Sequence, residues 1–167
     1  MLARFTLRFS AKNDTSLSVM MGSMGRALLF LDVDEPLIPF GAPPPGGYPS
    51  FPAARTLANP LLDRIDPAHG ARLAALPYEL VWATTWLDDA NDCVAPLLGL
   101  PPLPVVRWPE ASGPSGPDEV AGMHWKTPAL VEWAAGRPFA WVDDEVGDAD
   151  REWVSAYHPG GALPHRV

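Results

Sequence analysis

The chain reads as an α/β protein, a Rossmann-like three-layer sandwich with a mostly parallel central sheet and a minimal cap. Three observations predict this. Short apolar runs alternate with helical patterns along the chain. Three of the runs end in residues suited to phosphate or metal: Asp32/Asp34, Thr84/Thr85 and Asp143/Asp144. With 167 residues, 47% of them hydrophobic, the chain suits one domain with a real core.

Residues 26–34 read as the first buried strand, an apolar run that ends in Asp32-Val33-Asp34 and is broken at Pro36. Residues 36–60 hold eight prolines. Pro43-Pro44-Pro45-Gly46-Gly47 continues neither a helix nor a central strand, so this is a long irregular connection. It is too short and too irregular for a large cap, and is expected to form a rim around a site.

Residues 67–76 read as a helix, with Ala71, Leu73, Ala74 and Leu76 apolar and Pro77 as its stop. The second buried strand follows at 78–83 and ends at Thr84-Thr85. A helix is expected from about Trp86, with Thr85 and Asp88 as a capping pair, ending near Pro96 and Gly99. Residues 103–108 read as a short third strand, placed near an edge by Pro104.

Residues 109–122 are rich in Pro, Gly and Ser and read as a loop. Thr127 then fits an N-cap with Pro128 in the first helical position. Leu130, Trp133 and Ala134 give the buried stripe, and Gly136 falls just past the helix end. Residues 139–142 form the fourth strand, and a last helix covers about 149–157. There are no internal repeats. Alternation of this kind places helices on both faces of a parallel sheet.

Charge is unevenly spread. Residues 1–26 carry four basic side chains against Asp14 alone, while the remaining residues hold eight basic and nineteen acidic ones, a net of −11. That body offers no polybasic footprint for a membrane surface or for stable nucleic-acid binding. Cys93 is the only cysteine. An intrachain disulfide is therefore excluded, which suits a reducing cytoplasm, and Cys93 reads as a small core residue. No stretch approaches the ~20 apolar residues of a membrane span. The histidines His69, His124, His158 and His165 lack metal-ligand spacing and read as surface residues, with His124 set apart by its place two residues before Lys126. Glu145, Asp148 and Asp150 read as a solvated acidic helix start.

Strand residues at i and i+2 share a face, so Asp32 and Asp34 should emerge together at the carboxyl end of the first strand. Two adjacent carboxylates repel, and such a pair commonly holds a metal, splits its pKa values, or both; the alternative is a plain turn. Parallel strands carry their carboxyl ends on one side, so Asp32/Asp34, Thr84/Thr85 and Asp143/Asp144 should converge there. Lys126 supplies a cation before a helix N-terminus and is the only lysine after Lys12.

The order D-x-D, strand-Thr, Lys before a helix, strand-Asp-Asp resembles the haloacid dehalogenase (HAD) superfamily. The wording Leu31-Asp32-Val33-Asp34, Val81-Trp82-Ala83-Thr84-Thr85-Trp86, Lys126-Thr127 and Trp141-Val142-Asp143-Asp144-Glu145 is similar to the HAD domain of bacterial Swiss Army Knife RNA repair proteins. The resemblance covers about residues 26–157. It implies a HAD-like catalytic domain over 26–160 and a short tail over 161–167. Residues 1–25, with no continuous apolar stretch and with Met20, Met21 and Met24 just before the first strand, read as a disordered or mis-assigned extension or else a weak transit-like segment.

The resemblance further implies a Mg²⁺-dependent phosphohydrolase. Asp32 would be the nucleophile that forms an aspartyl-phosphate, and Asp34 the general acid/base. Thr84, Thr85 and Lys126 would bind phosphoryl oxygens. Asp32, Asp34 (through its backbone carbonyl), Asp143 and Asp144 would hold Mg²⁺. The implied substrate is phosphorylated, a small molecule or a nucleic-acid end, with Trp86 and Trp125 near the site. Glu35 stands where the superfamily usually has glycine; if that backbone needs φ > 0, Glu is strained there. Relatives usually continue with a further strand after the last motif, whereas here only Ala162-Leu163-Pro164-His165-Arg166-Val167 remains, so that edge strand is expected to be missing or stunted. These two departures support an alternative, a catalytically weakened HAD-fold binding or regulatory protein.

Overall fold

The computed structural model describes residues 25–52, 59–109 and 122–167. The expected N-terminal extension (Gly25 excepted), residues 53–58 of the proline-rich connection and 110–121 of the later loop lie outside these.

Four strands among the described residues form one parallel sheet: β1 (Leu28–Leu31), β2 (Glu79–Trp82), β3 (Phe139–Asp143) and β4 (Ala162–Arg166), in the order β2-β1-β3-β4. Leu28 sits opposite Glu79 and Phe139, and Leu31 opposite Trp82 and Val142. Among the described residues, four α-helices cover the sheet: α1 (Ala68–Ala74), α2 (Ala95–Leu98), α3 (Thr127–Ala134) and α4 (Asp148–Tyr157).

The central strand β1 is buried on both faces, which explains its unbroken apolar run. Leu29 and Leu31 join Leu80, Trp82 and Ala140 in a core completed by Val94, Ala95 and Leu98 beneath α2. Leu28 and Phe30 join Val81, Phe139 and Trp141 in a second core, completed by Leu130 and Ala134 of α3 and Val154 of α4. Two cores separated by one sheet make the three-layer sandwich. Each fully buried Leu28, Phe30 or Val81 contributes about 1.5–3 kcal/mol. Gly70 of α1 lets that helix close on the end of α2, because a Cβ there would fall 1.7 Å from the Leu98 carbonyl oxygen.

Several elements differ from the sequence reading. β1 ends at Leu31, so Asp32 and Asp34 stand in the loop after the strand. The helix expected from Trp86 begins four residues later, as a π-helical turn over Ala90–Val94 that runs into α2. Leu87 has φ +50°, which no helix tolerates, and residues 84–91 form successive turns instead. The Thr85–Asp88 capping pair does not form. Thr84 Oγ1 accepts the Trp86 N–H, and the Asp88 carboxylate pairs with Arg107 at 2.6 Å.

The strand expected over 103–108 shrinks to one bridge between Val105 and Trp82. Pro104 has no N–H, and Asn91 takes both backbone groups of Leu103 through its side-chain amide, which leaves little ladder to form. The cap of α3 lies one residue early, at Lys126, with Thr127 as the first helical residue.

The edge strand expected to be missing or stunted is present. β4 pairs with β3 over five residues, from Phe139 opposite Ala162 to Asp143 opposite Arg166. Pro164 is tolerated because β4 is an edge. His158, read as a surface residue, is buried and donates from Nε2 to the Arg137 carbonyl at 3.0 Å. Between β1 and a 3-10 turn at Pro60–Arg64 the described residues hold neither helix nor strand. Arg64 ties the proline-rich connection down, donating to the Pro39 carbonyl at 2.8 Å and lying over the Tyr48 ring. No helix among the described residues is long and apolar enough to cross a membrane.

Candidate active site

Because β1 lies between β2 and β3, the loops after all three open at the same sheet edge. Asp32 follows β1, Thr84 follows β2, and Asp143 closes β3 with Asp144 beside it. Lys126 arrives from the N-terminus of α3.

The ammonium of Lys126 is the hub. Its Nζ donates to Asp32 Oδ2 at 2.5 Å and to Asp143 Oδ2 at 2.8 Å, with all three side chains buried. Asp32 Oδ1 accepts the Val33 N–H at 2.7 Å. Asp143 takes two further donors, the Glu145 N–H on Oδ1 and the Trp141 indole on Oδ2. Trp125 lies with its ring 5.8 Å from the ammonium and packs edge-on to Trp108. Trp108 donates its indole N–H to the Thr84 carbonyl.

One ammonium cannot neutralise two buried carboxylates, and the two respond differently. Burial pushes the Asp32 carboxyl up from its ordinary 3.8 to about 6; Lys126 opposes that rise, the neighbouring Asp143 adds to it, and a Thr84 hydrogen bond weakly opposes it. Burial also disfavours the Asp143 carboxylate, but Lys126 and the Glu145 N–H together hold it below the ordinary carboxylate range. Lys126 itself loses solvation, yet Asp32 and Asp143 raise it above the usual lysine value. Asp144 is raised by burial and then by Asp143, with smaller contributions from Glu145 and Glu35. The site therefore carries negative charge beyond what Lys126 balances.

The structure thus brings together Asp32, Thr84, Lys126, Asp143 and Asp144. Asp34 takes a separate position: its carboxylate accepts the Trp86 indole N–H, at 3.3 Å on Oδ1 and 3.1 Å on Oδ2. Thr85 is exposed, and its neighbour Thr84 is the threonine that meets Asp32. Glu35 has φ +64°, in the left-handed region glycine favours. A tight turn sets it there, with the Glu35 N–H bonded to the Ile38 carbonyl and the Leu37 and Ile38 N–H groups to the Val33 carbonyl.

Oxygens of Asp32, Asp143 and Asp144 all lie within 4.8 Å of one another. Three carboxylates against one ammonium, with oxygen donors only, suit a hard cation such as Mg²⁺. His124, Asp143 and Glu145 form a second group of the same compactness. The histidine does not suit a metal there. Its Nδ1 accepts the Lys126 backbone N–H at 3.1 Å, so the ring proton sits on Nε2 and is donated to Glu145 at 2.8 Å.

Sequence reasoning missed Asp150, which it placed in a solvated acidic run. Asp150 is 1% exposed, and its carboxylate accepts the His124 N–H, the Thr127 hydroxyl and the Gly147 N–H. The one available signal was its place three residues after Gly147, at the third position of a helix, where an acid can reach back to the cap N–H.

Comparison with family models, curated proteins and solved structures finds no match.

Proposed function

We propose that this chain is a Mg²⁺-dependent phosphohydrolase of HAD type, acting through an aspartyl-phosphate on Asp32. The observation that carries the reading is the shared ammonium of Lys126, held between Asp32 and Asp143 at the carboxyl edge of a parallel sheet. A nucleophilic carboxylate needs a fixed neighbouring cation if an anionic phosphate is to approach it.

Asp32 attacks phosphorus through a carboxylate oxygen, and the bond from phosphorus to the ester oxygen breaks. Asp34 gives its proton to the departing oxygen. It then takes a proton from the water that attacks the aspartyl-phosphate, releasing phosphate and restoring the Asp32 carboxylate. The Trp86 indole holds Asp34 in place from the β2 side. Lys126 and the Thr84 hydroxyl supply donors to the phosphoryl oxygens. Asp32, Asp143 and Asp144, with the Asp34 backbone carbonyl, would hold the Mg²⁺. Charge compensation between two anionic reactants is the chemistry a bound Mg²⁺ supplies. A connection too short for a large cap suits a small phosphate ester or a nucleic-acid end, and the acidic body disfavours stable nucleic-acid binding.

The test is hydrolysis of an aryl phosphate with and without Mg²⁺. Turnover that needs the metal and is lost in Asp32→Asn supports the reading. Metal binding without turnover across a panel of phosphate esters supports the second reading, a HAD-fold binding or regulatory protein. That alternative draws on Glu35, whose left-handed backbone is strained and whose carboxylate makes a small contribution to raising Asp144.

A further inference from the structure

We infer that Asp150 is a positioning residue: it joins the loop that delivers Lys126 to the loop that delivers Asp143 and Asp144. The two loops come from different elements. Residues 122–126 lead into α3, and residues 144–147 leave β3 for α4. Asp150 belongs to α4 yet accepts from both. Oδ1 takes the His124 N–H at 2.8 Å and the Thr127 hydroxyl at 2.5 Å, one residue on either side of the Trp125-Lys126 pair; Oδ2 takes the Gly147 N–H at 2.7 Å.

His124 adds a second link. Its Nδ1 accepts the Lys126 backbone N–H, and its Nε2–H reaches Glu145 in the facing loop. His124 is held flat by Trp125 stacked on one side and by the edge of Trp141. The residue two before Lys126 and the residue after it are thus fixed by side chains from the β3–α4 side, and the Lys126 backbone N–H is held by His124, whose ring is itself tied to Glu145. A buried carboxylate with three donors is costly to leave half satisfied, so this joint has one well-defined geometry. The distance from Nζ to Asp143 follows from it.

The test reads the ammonium directly and does not require the phosphohydrolase reading. Lys12 and Lys126 are the only lysines, so ¹⁵N-lysine labelling in a Lys12→Arg background leaves one signal. Its ammonium protons should be protected from exchange near neutral pH. Asp150→Ala should speed that exchange by about tenfold or more. Asp150→Asn, which keeps an acceptor for His124 and Thr127 but offers none to Gly147, should lie between. Thr127→Val removes one donor with little change of shape and carries the same test if Asp150→Ala does not fold. Wild-type exchange in folded Asp150→Ala, or in Thr127→Val and Asp150→Asn together, overturns the inference, even if those variants melt earlier.

The kinetic arm rests on the proposed phosphatase activity. There kcat should fall about 10–100-fold with KM changed much less, and Asp150→Asn should recover part of the loss. Faster exchange in a protein whose wild type hydrolyses no phosphate ester sinks the phosphohydrolase and leaves the positioning role standing. Equal losses of kcat in Asp150→Ala and Asp150→Asn with wild-type exchange sink the positioning role alone.

Discussion

Lys126 lies 94 residues from Asp32 along the chain and 2.5 Å from it in space. A second bond at 2.8 Å ties the same ammonium to Asp143. Removing the cation leaves two buried carboxylates unpaired. Lys126→Met should therefore destabilise the protein by about 3–5 kcal/mol at neutral pH. The deficit should shrink in acid, as the two carboxyls take up protons. Urea unfolding at pH 7 and pH 4 measures both.

Asp32 has the opposite sign. Its pKa is about 6 in the fold against an ordinary 3.8. Between those values the folded protein binds more protons than the unfolded chain. The contribution from this group is complete below pH 3.8 and is lost as pH rises through about 6. In chelator, Asp32→Asn should therefore be more stable than wild type at pH 8, by at most roughly 3 kcal/mol, since each tenfold change in proton affinity is worth about 1.4 kcal/mol. The two stability curves should meet below pH 4. Under the proposed function, the residue that serves as nucleophile would then cost stability in the metal-free protein, as expected where stability and activity trade off.

Glu35 separates strain from charge. Its φ of +64° favours glycine, and its carboxylate helps raise the Asp144 pKa. Glu35→Gly should raise the unfolding free energy by up to about 1 kcal/mol, because relief of the left-handed backbone exceeds the entropy glycine adds to the unfolded chain. Glu35→Gln should not, since it keeps the backbone. Both should lower KM for an aryl phosphate, because both remove a negative charge near the anion. Thermal melts and steady-state kinetics of the pair distinguish the two effects.

Away from the site, Gly70→Ala tests the packing of α1 on α2. A Cβ would fall 1.7 Å from the Leu98 carbonyl oxygen, a backbone atom that cannot swing away. The expected cost is about 1–3 kcal/mol, despite the better helix propensity of alanine. Urea unfolding reads it.

Much of this was legible from residue order. The strands at β1, β2 and β3 announce themselves because each is an apolar run stopped by polar residues, and parallel topology then forces their ends together. That is why Asp32, Thr84, Asp143 and Lys126 could be placed in one site from sequence. Glu35 stood out only through the resemblance, as a non-glycine that would be strained if its backbone needed φ > 0, and its φ is +64°. What was not legible depends on tertiary partners. The burial of Asp150 follows from three donors, two of which come from a loop more than twenty residues away. The delayed start of the α2 region follows from a left-handed Leu87, a residue with no preference for that conformation. β4 was discounted because only residues 162–167 remain for it at the chain end, yet five of those residues pair along β3, and the edge position tolerates Pro164. The collapse of the 103–108 strand to one bridge follows from Asn91, whose amide replaces the ladder.

The central claim is a phosphoryl group carried by Asp32, and the most direct measurement is acid quench of Asp34→Asn during incubation with an aryl phosphate and Mg²⁺, followed by peptide mass mapping. An aryl leaving group needs no proton from Asp34, whereas attack of water on the intermediate does. The account predicts that one phosphoryl group per chain accumulates on the peptide containing Asp32, only with Mg²⁺ present, and not in the Asp32→Asn, Asp34→Asn double variant. Turnover of the aryl phosphate by wild type with no phosphoryl group on that peptide in Asp34→Asn would contradict it.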